Sequence, residues 1–254
     1  MACVVEEAPS EPMKVCRTTV AAAKNGVPTV WSTLKLFFIG NSFTYYYDIP
    51  KIVEGLGKSL NEMIEVDYVV KGSASLATHA DHSSETGLQI YNKLLEHDDY
   101  DIVILQEQST TPINDYNKFL TAVKTLKNRI DQTQTSCQTV LYETWGSPAG
   151  IESTSFKSVG EMEEALRTAT EKAAVETGCR VNYVGKLFRY IYENMTSINI
   201  YADDNRHQNN LGAYISAACH VRSLFNVKVS KCTYYADLNQ DECKALLSVT
   251  DKII

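Results

Sequence analysis

"LKLFFIGNSFTYYYDIP", residues 34–50, joins a continuous apolar run to a Gly-Asn-Ser turn. An apolar run without alternating polar residues is typical of a strand that is buried on both faces of a parallel sheet. The run stops at Gly40, and Ser42 follows before a helical pattern begins near Asp48. The stretch therefore predicts a first strand with a serine at its carboxyl end. Serine is common in turns, so a purely structural role for Ser42 is the alternative at this point.

Strand patterns and helical patterns alternate along the rest of the chain. The predicted strands after the first are "IEVDYVV" (64–70), "YDIVILQEQS" (100–109), "QTVLYETWG" (138–146) and "CRVNYVG" (179–185), with amphipathic helical segments between them. Such alternation predicts βαβ units, a parallel sheet and helices on both of its faces. We therefore predict an α/β fold, a flavodoxin-like three-layer α/β/α sandwich with a five-stranded parallel sheet in the order 2-1-3-4-5.

The expected domain division follows from a change of pattern near residue 33. Residues 1–33 are polar and irregular, and they contain Pro9, Pro12 and Pro28. We predict that they form an N-terminal extension. Residues 34–254 carry the alternating pattern, and their length is compatible with one α/β domain.

The composition limits the classes of partner. Lys and Arg total 24 and Asp and Glu total 31, a formal charge of -7, which argues against nucleic acid because nucleic acid favours a basic surface. No run of about 18 apolar residues is present, so no membrane partner is expected. The first residues lack a secretory signal pattern, which predicts a cytoplasmic protein, or an extracytoplasmic one if a signal peptide has been removed. The composition leaves the oligomeric state open.

Cysteine and histidine patterns predict no metal site. The chain has seven cysteines, an odd number without a CxxC pair, which is typical of neither a full disulfide framework nor a zinc site. A disulfide between Cys232 and Cys243 is the alternative to free thiols. His79 and His82 have a spacing that can hold a metal on a helix, but no third ligand accompanies them. We predict that the protein needs no metal and no organic cofactor.

A second polar segment, "YADDNRHQNNLGAY" (201–214), leads into another predicted helix. Asp204 precedes His207 by three residues, and in a tight loop its carboxylate can reach Nδ1 of the ring and leave Nε2 free. A serine hydroxyl is a poor nucleophile unless such a base accepts its proton and an acid orients the base. The alternative is that this segment is an ordinary solvated loop.

Three segments together resemble the SGNH (GDSL-like) hydrolase superfamily. "FFIGNSFT" (37–44) resembles its first block, in which the nucleophilic serine follows strand one, and "DNRH" (204–207) resembles its last block, a DxxH before the final core helix. "VVKGSAS" (69–75) is similar to the second block. The resemblance covers about residues 34–228 and is strongest to an uncharacterised bacterial branch that carries GNSFT and LQEQS motifs.

The resemblance implies a role for each matched residue. It makes Ser42 the nucleophile, His207 the base and Asp204 the acid that orients the base. It also implies that the backbone amides of Ser42 and Gly72 face the oxyanion. No metal takes part in this mechanism.

The third block departs from the family pattern. An asparagine in a GxND motif usually completes the oxyanion hole, whereas this chain has "LQEQSTT" (105–111). We predict that Gln108 supplies the third donor, with Ser109 and Gln106 as alternatives. One such donor is commonly worth about 3 kcal/mol of transition-state stabilisation.

Further residues are predicted to contact the substrate because they follow strands at the same edge of the sheet. These are Asn41 after the first strand, and Glu143 and Trp145 at the end of the fourth. Fifteen tyrosines are present and can stack on sugar rings, although packing in the core or on the surface is the alternative.

The sequence and the resemblance together predict a serine esterase. The expected substrate is a small molecule or a carbohydrate that carries a short acyl ester, acetyl above all, because no long apolar lid is visible and the predicted rim segments are polar. Three alternatives stay open: an acyltransferase, a lipase or thioesterase on the same triad, and a non-catalytic carbohydrate-binding module.

Overall fold

A computed structural model describes residues 33–152 and 154–254. The predicted N-terminal extension, residues 1–33, lies outside the described residues except for its last residue. In the described part of the chain, no helix has the length and apolar character needed to cross a membrane. Cys232 and Cys243 are free thiols, so the alternative disulfide is not formed.

Five parallel strands form one sheet in the order β2-β1-β3-β4-β5, which confirms the predicted fold class and strand order. The strands are β1 (Leu34–Gly40), β2 (Ile64–Val70), β3 (Ile102–Gln106), β4 (Gln138–Glu143) and β5 (Arg180–Tyr183). Their carboxyl ends lie along one edge, called the rim below, where ligands gather in sheets of this kind.

The sheet separates two apolar cores because successive side chains of a strand point to opposite faces. In β1, Leu36 and Phe38 belong to one core, while Phe37 and Ile39 belong to the other. All four side chains are at most 1% exposed. The continuous apolar run in the sequence therefore reflects burial on both faces.

Helices cover both faces of the sheet. They are α1 (Ser42–Tyr45), α2 (Ile49–Ser59), α3 (Leu76–Ala80), α4 (Glu85–Glu96), α5 (Thr111–Asn114), α6 (Tyr116–Thr133), α7 (Pro148–Glu152), α8 (Val159–Thr177), α9 (Val184–Asn194), α10 (Asn210–Phe225) and α11 (Gln240–Ile253), with a 3-10 turn at Val229–Lys231. Helices α2, α9, α10 and α11 pack into the core that holds Leu36, and α4, α6 and α8 pack into the opposite core.

The start of α10 fixes the end of the "DNRH" segment. Asn209 caps this helix, and its Oδ1 accepts a hydrogen bond from Gly212 N at 3.0 Å, as its position in the sequence predicts. The first turn of α10 therefore begins only three residues after His207. This places the histidine at the rim, level with the carboxyl end of β1.

Candidate active site

The turn after β1 holds Ser42 at the amino terminus of α1. Asn41 caps this short helix: its Oδ1 accepts from Phe43 N at 3.1 Å. Its Nδ2 donates to the carbonyl of Ala74 at 2.9 Å, which ties the turn to the loop after β2. Asn41 therefore determines where Ser42 stands.

Gln106, the last residue of β3, holds the same turn from the other side. Its Oε1 accepts from Asn41 N at 2.8 Å and from Thr44 Oγ1 at 2.9 Å, and its Nε2 donates to Asn41 Oδ1 at 3.0 Å. Glycine is needed at position 40 because a Cβ there would lie 2.5 Å from Gln106 Oε1. The amide of Gln106 is thus fully used in positioning the turn, which argues against it as the third oxyanion donor.

The structure brings the three matched residues into a hydrogen-bonded chain. Ser42 Oγ lies 2.8 Å from His207 Nε2, and His207 Nδ1 lies 2.5 Å from Asp204 Oδ2. The other carboxylate oxygen, Oδ1, accepts from the backbone N–H groups of Arg206 at 3.0 Å and His207 at 2.9 Å. One tight loop therefore supplies both the imidazole and the carboxylate that orients it.

The charge of Asp204 sets the tautomer of this imidazole. Burial acts to raise the pKa of Asp204, but hydrogen bonds from His207 and Arg206 outweigh it and lower the pKa to about 2. The carboxylate is consequently ionised at neutral pH, and it accepts the Nδ1 proton of the ring. Nε2 is then left with its lone pair directed at Ser42 Oγ, which is the arrangement that a general base requires.

Aromatic stacking supports the histidine loop. The Trp145 ring lies between Phe43, at a centroid distance of 4.3 Å, and Phe188, at 4.2 Å, with near-parallel planes. Its Nε1 donates to the carbonyl of Arg206 at 3.0 Å, and the Phe43 ring meets His207 edge-on at 5.3 Å. This stack connects the serine helix, the end of β4 and the histidine loop in one rigid contact.

Gln208 is a site residue that the sequence analysis missed. Its side chain is fully buried, and its Nε2 donates to the carbonyls of Ser42 at 3.2 Å and Tyr46 at 3.3 Å. The Tyr46 ring in turn lies 4.7 Å from the ring of His207. Gln208 therefore links the residue next to the base with the backbone of the serine helix. Its only signal in the sequence is its position directly after the "DNRH" motif.

The strand register aligns the two predicted backbone donors. Gly40 pairs with Val70, so Ser42 and Gly72 each lie two residues beyond the same pair. Neither of their backbone N–H groups donates to another group within the described residues. Free N–H groups on neighbouring loops at the rim are suitable donors to an oxyanion.

Ile39 pairs with Leu105, so Ser42 and Gln108 each lie three residues beyond the same pair of β1 and β3. Its Oε1 accepts hydrogen bonds from the N–H and hydroxyl groups of Thr110 and Thr111 at 3.0–3.2 Å. These bonds point the amide oxygen into the start of α5, and Nε2 donates to Ser109 Oγ at 3.1 Å. One Nε2 hydrogen remains available, so Gln108 stays the predicted third donor.

Comparison with known proteins adds structural relatives. No protein-family model and no curated protein matches the sequence. A DUF4886 family protein from Bacteroides uniformis superimposes with a TM-score of 0.75 at 17% identity, over 87% of this chain and 94% of that one. A candidate SGNH hydrolase from Slackia heliotrinireducens gives a TM-score of 0.63 at 23% identity, over 76% and 100%. An acetylxylan esterase from Geobacillus stearothermophilus gives 0.57 at 14% identity, over 77% and 95%.

The chain has the fold of the SGNH hydrolases. In this fold the carboxyl ends of the strands carry the turn with Ser42, the loop with Gly72 and the loop with Gln108. The last loop before α10 brings His207 and Asp204 over the first strand. The hydrogen-bonded chain thus stands at the edge of the sheet where parallel α/β proteins bind ligands.

The residues predicted to contact substrate lie beneath the rim of this SGNH fold. Asn41 is 3% exposed and its amide serves the serine turn. Glu143 is fully buried; its Oε2 accepts from Lys186 N at 3.2 Å, and burial, with Glu163 nearby, raises its pKa well above the ordinary range. Trp145 is 1% exposed inside the aromatic stack. All three side chains are buried in the folded chain, and their contact with substrate stays a prediction.

His79 has a structural role in the fold. Its Nε2 lies 2.9 Å from the carbonyl of Gly40 and its Nδ1 lies 3.0 Å from Thr86 Oγ1, so both ring nitrogens are engaged. Burial lowers the pKa of this imidazole, which is consistent with a neutral ring that donates from Nε2. No group of three or more residues able to hold a metal occurs in the described ranges.

A second carboxylate at the rim, that of Glu107, ties the two neighbouring loops together. Its Oε1 accepts from Gln108 N at 2.6 Å and from Leu76 N at 3.1 Å, whereas its Oε2 is buried without a partner among the described residues. The side chain is 3% exposed, and burial raises its pKa to about 7. Glu107 therefore holds a proton under mildly acidic conditions in the folded chain.

Because of its raised pKa, Glu107 should make stability depend on pH, and Glu107→Gln should remove that dependence. Its pKa is higher in the folded chain than in the unfolded one, so its contribution to stability is greatest below about pH 4.5 and falls as pH rises to about 7. Between pH 5 and pH 8 the free energy of unfolding of wild type should fall by up to about 3 kcal/mol through Glu107. That of Glu107→Gln should not show this fall, because glutamine does not titrate. Urea unfolding of both proteins at the two pH values measures this difference. Parallel stability curves would contradict the assignment.

Proposed function

We propose that this protein is a serine esterase that hydrolyses short acyl esters, acetyl above all, carried by a carbohydrate. The observation that carries the proposal is the continuous chain from Ser42 Oγ through the imidazole of His207 to the carboxylate of Asp204, at 2.8 Å and 2.5 Å. Hydroxyl, imidazole and carboxylate in this order form the arrangement that activates a serine for attack on a carbonyl.

In the first half of the proposed reaction, His207 Nε2 accepts the Ser42 proton as Oγ bonds to the ester carbonyl carbon. The carbonyl oxygen becomes an oxyanion that the N–H groups of Ser42 and Gly72 stabilise, with Gln108 as third donor. Collapse of this intermediate breaks the bond to the alcohol, and His207 returns the proton to the leaving oxygen. An acyl group is then left on Ser42.

Water completes the proposed cycle. His207 removes a proton from a water molecule, which attacks the acyl carbonyl, and the bond to Ser42 Oγ breaks. The carboxylic acid leaves, and Ser42 regains its proton from the imidazole. Asp204 stays ionised throughout, because its pKa of about 2 lies far below that of an imidazolium.

A short acyl group is favoured by two considerations. The rim segments between residues 41 and 48 and between 71 and 84 are rich in polar and tyrosine side chains, which suit sugar hydroxyls and ring faces. Among the structural neighbours, the proteins from Geobacillus stearothermophilus and another termed AlAXEase are named as acetylxylan esterases. A neighbour from Enterococcus faecalis is named as a lipase/acylhydrolase, which favours the alternative of a longer acyl chain.

Substrate chain length decides between these two proposals. On p-nitrophenyl esters from acetate to palmitate, kcat/KM should be highest for acetate and fall steadily beyond about four carbons, because the rim segments that follow Ser42 and β2 carry mainly polar and tyrosine side chains. Labelling with a fluorophosphonate, measured beside the panel, distinguishes a working serine from a binding module. Specificity that rises toward eight carbons or more would replace the acetylesterase with a lipase, and a protein that neither turns over esters nor takes the label would be a binding module.

A further inference from the structure

A cavity of about 280 Å³ lies between the starts of α2 and α10, and we call it the Tyr234 cavity. Its walls come from the start of α2, the start of α10 and the loop that precedes α11. The side chains that matter for its chemistry are those of Tyr47, Asp48, Lys51, Asn210, Tyr234 and Asp237. The volume is near the lower limit of about 300 Å³ for ligand pockets, which suits one ring better than a long chain.

Two residues of the cavity wall lie close in the chain to the proposed base. Tyr47 directly follows Tyr46, whose ring lies 4.7 Å from the ring of His207. Asn210 begins α10 three residues after His207. Two wall residues of the cavity are therefore close in the chain to residues at the proposed base.

Tyr234 is built into the wall as a fixed aromatic surface. Its ring lies against Gly55 in the middle of α2, where a Cβ would come within 2.4 Å of Tyr234 Cε1. Glycine inside a helix costs roughly 1 kcal/mol relative to alanine, and here it makes room for this ring. The hydroxyl of Tyr214 donates to the carbonyl of Tyr234 at 2.7 Å, yet the side chain stays 37% exposed.

The backbone on both sides of the cavity is strained. Tyr47 and Asp48 have φ values of 60° and 52°, and Ala236 and Asp237 have values of 49° and 60°. These are left-handed conformations that cost non-glycine residues about 1–2 kcal/mol each. Such residues concentrate at ligand sites, where the surrounding structure holds them in place. Two strained pairs that face one small cavity are therefore consistent with a binding site.

The polar side chains of the cavity are exposed and can form hydrogen bonds with a ligand. The side chains of Asp48, Asn210 and Asp237 make no hydrogen bond to the described residues, while Lys51 is paired with Glu54 at 2.9 Å. Two unpaired carboxylates disfavour an anionic ligand and accept hydrogen bonds from hydroxyl groups. An aromatic face together with several acceptors is the combination that a neutral sugar ring satisfies.

We propose that the Tyr234 cavity binds a neutral sugar ring of the alcohol part of the ester, stacked on Tyr234 and hydrogen-bonded to Asp48, Asn210 and Asp237. This inference rests on the proposed function and extends it, because it assigns a subsite to the carbohydrate. The cavity then determines specificity without touching the reacting atoms.

The kinetic test compares a substrate with a sugar and one without. For Tyr234→Ala, kcat/KM on acetylated xylo-oligosaccharides should fall about tenfold, mostly through KM, while turnover of p-nitrophenyl acetate stays within about twofold of wild type. Tyr192→Ala is the matched control, because Tyr192 is 42% exposed on α9 and lines no part of the cavity. Asp237→Asn, a change at an exposed side chain, should show the same pattern as Tyr234→Ala at smaller size.

A binding measurement separates failure of this inference from failure of the esterase proposal. Calorimetric titration of the Ser42→Ala protein with xylotetraose and with cellotetraose needs no turnover. Saturable binding of either sugar that Tyr234→Ala weakens at least tenfold, and that Tyr192→Ala leaves unchanged, supports the cavity even if no ester is hydrolysed. Absence of binding to both sugars, or equal loss of both esterase activities in Tyr234→Ala, overturns it.

Discussion

Ser42→Ala should abolish ester hydrolysis, with a fall in kcat of about 10,000-fold or more, and should leave the fold intact. The hydroxyl is the only group of this residue that faces His207, at 2.8 Å, and no other nucleophile is in contact with that Nε2 among the described residues. Loss of a triad serine leaves only the contribution of oxyanion stabilisation and substrate binding. Initial rates on p-nitrophenyl acetate, with fluorophosphonate labelling as a second readout, measure the effect.

The matched control is Ser59→Ala, which removes a serine hydroxyl at the far end of α2, where it bonds to the carbonyl of Leu56. That variant should retain both activity and label. Far-ultraviolet circular dichroism and the melting temperature check that both variants are folded. A folded Ser42→Ala protein with the turnover of wild type would refute the serine mechanism.

The fold is predictable from local pattern to an unusual extent. Strand β3 is apolar up to its last residue and β1 is apolar from Leu36 to Ile39, and the helical segments between strands have amphipathic spacing, so the layer order follows from general rules for βαβ units. The short helices α1, α3, α5 and α7 are not predictable in this way. They have only four or five residues each, and capping side chains and tertiary contacts stabilise them more than periodicity does.

The candidate site is predictable only in part, because its residues meet across long stretches of chain. Ser42 and His207 are separated by 165 positions, and no spacing rule joins them; only the resemblance to a known family brought them together. Position at a strand end correctly places Glu143 near the rim, but it does not reveal that α9 begins over its carboxylate. For the same reason the sequence does not disclose the contacts of Gln106 and Gln208 with the serine turn.

Trp145→Ala should have the largest effect on stability, a loss of about 3–5 kcal/mol, because it deletes the middle ring of a fully buried stack. The ring lies at 4.3 Å from Phe43 and 4.2 Å from Phe188, so its removal leaves a cavity between the serine helix and α9. The carbonyl of Arg206 loses its donor at the same time. Urea unfolding of the variant and of wild type measures the difference in free energy.

Trp145→Phe distinguishes the contribution of the aromatic stack from that of the hydrogen bond to Arg206. Phenylalanine keeps an aromatic ring between Phe43 and Phe188 but cannot donate to the carbonyl of Arg206, so about 1 kcal/mol of stability should be lost. Since Arg206 immediately precedes His207, the histidine loop becomes less restrained, and kcat should fall several-fold while KM for p-nitrophenyl acetate hardly changes. A misplaced base affects the transition state more than the bound substrate, which is why the loss belongs in kcat. If Trp145→Phe retained the kcat of wild type and only its stability fell, Trp145 would contribute packing alone and the loop would owe its position to Asp204 and Gln208.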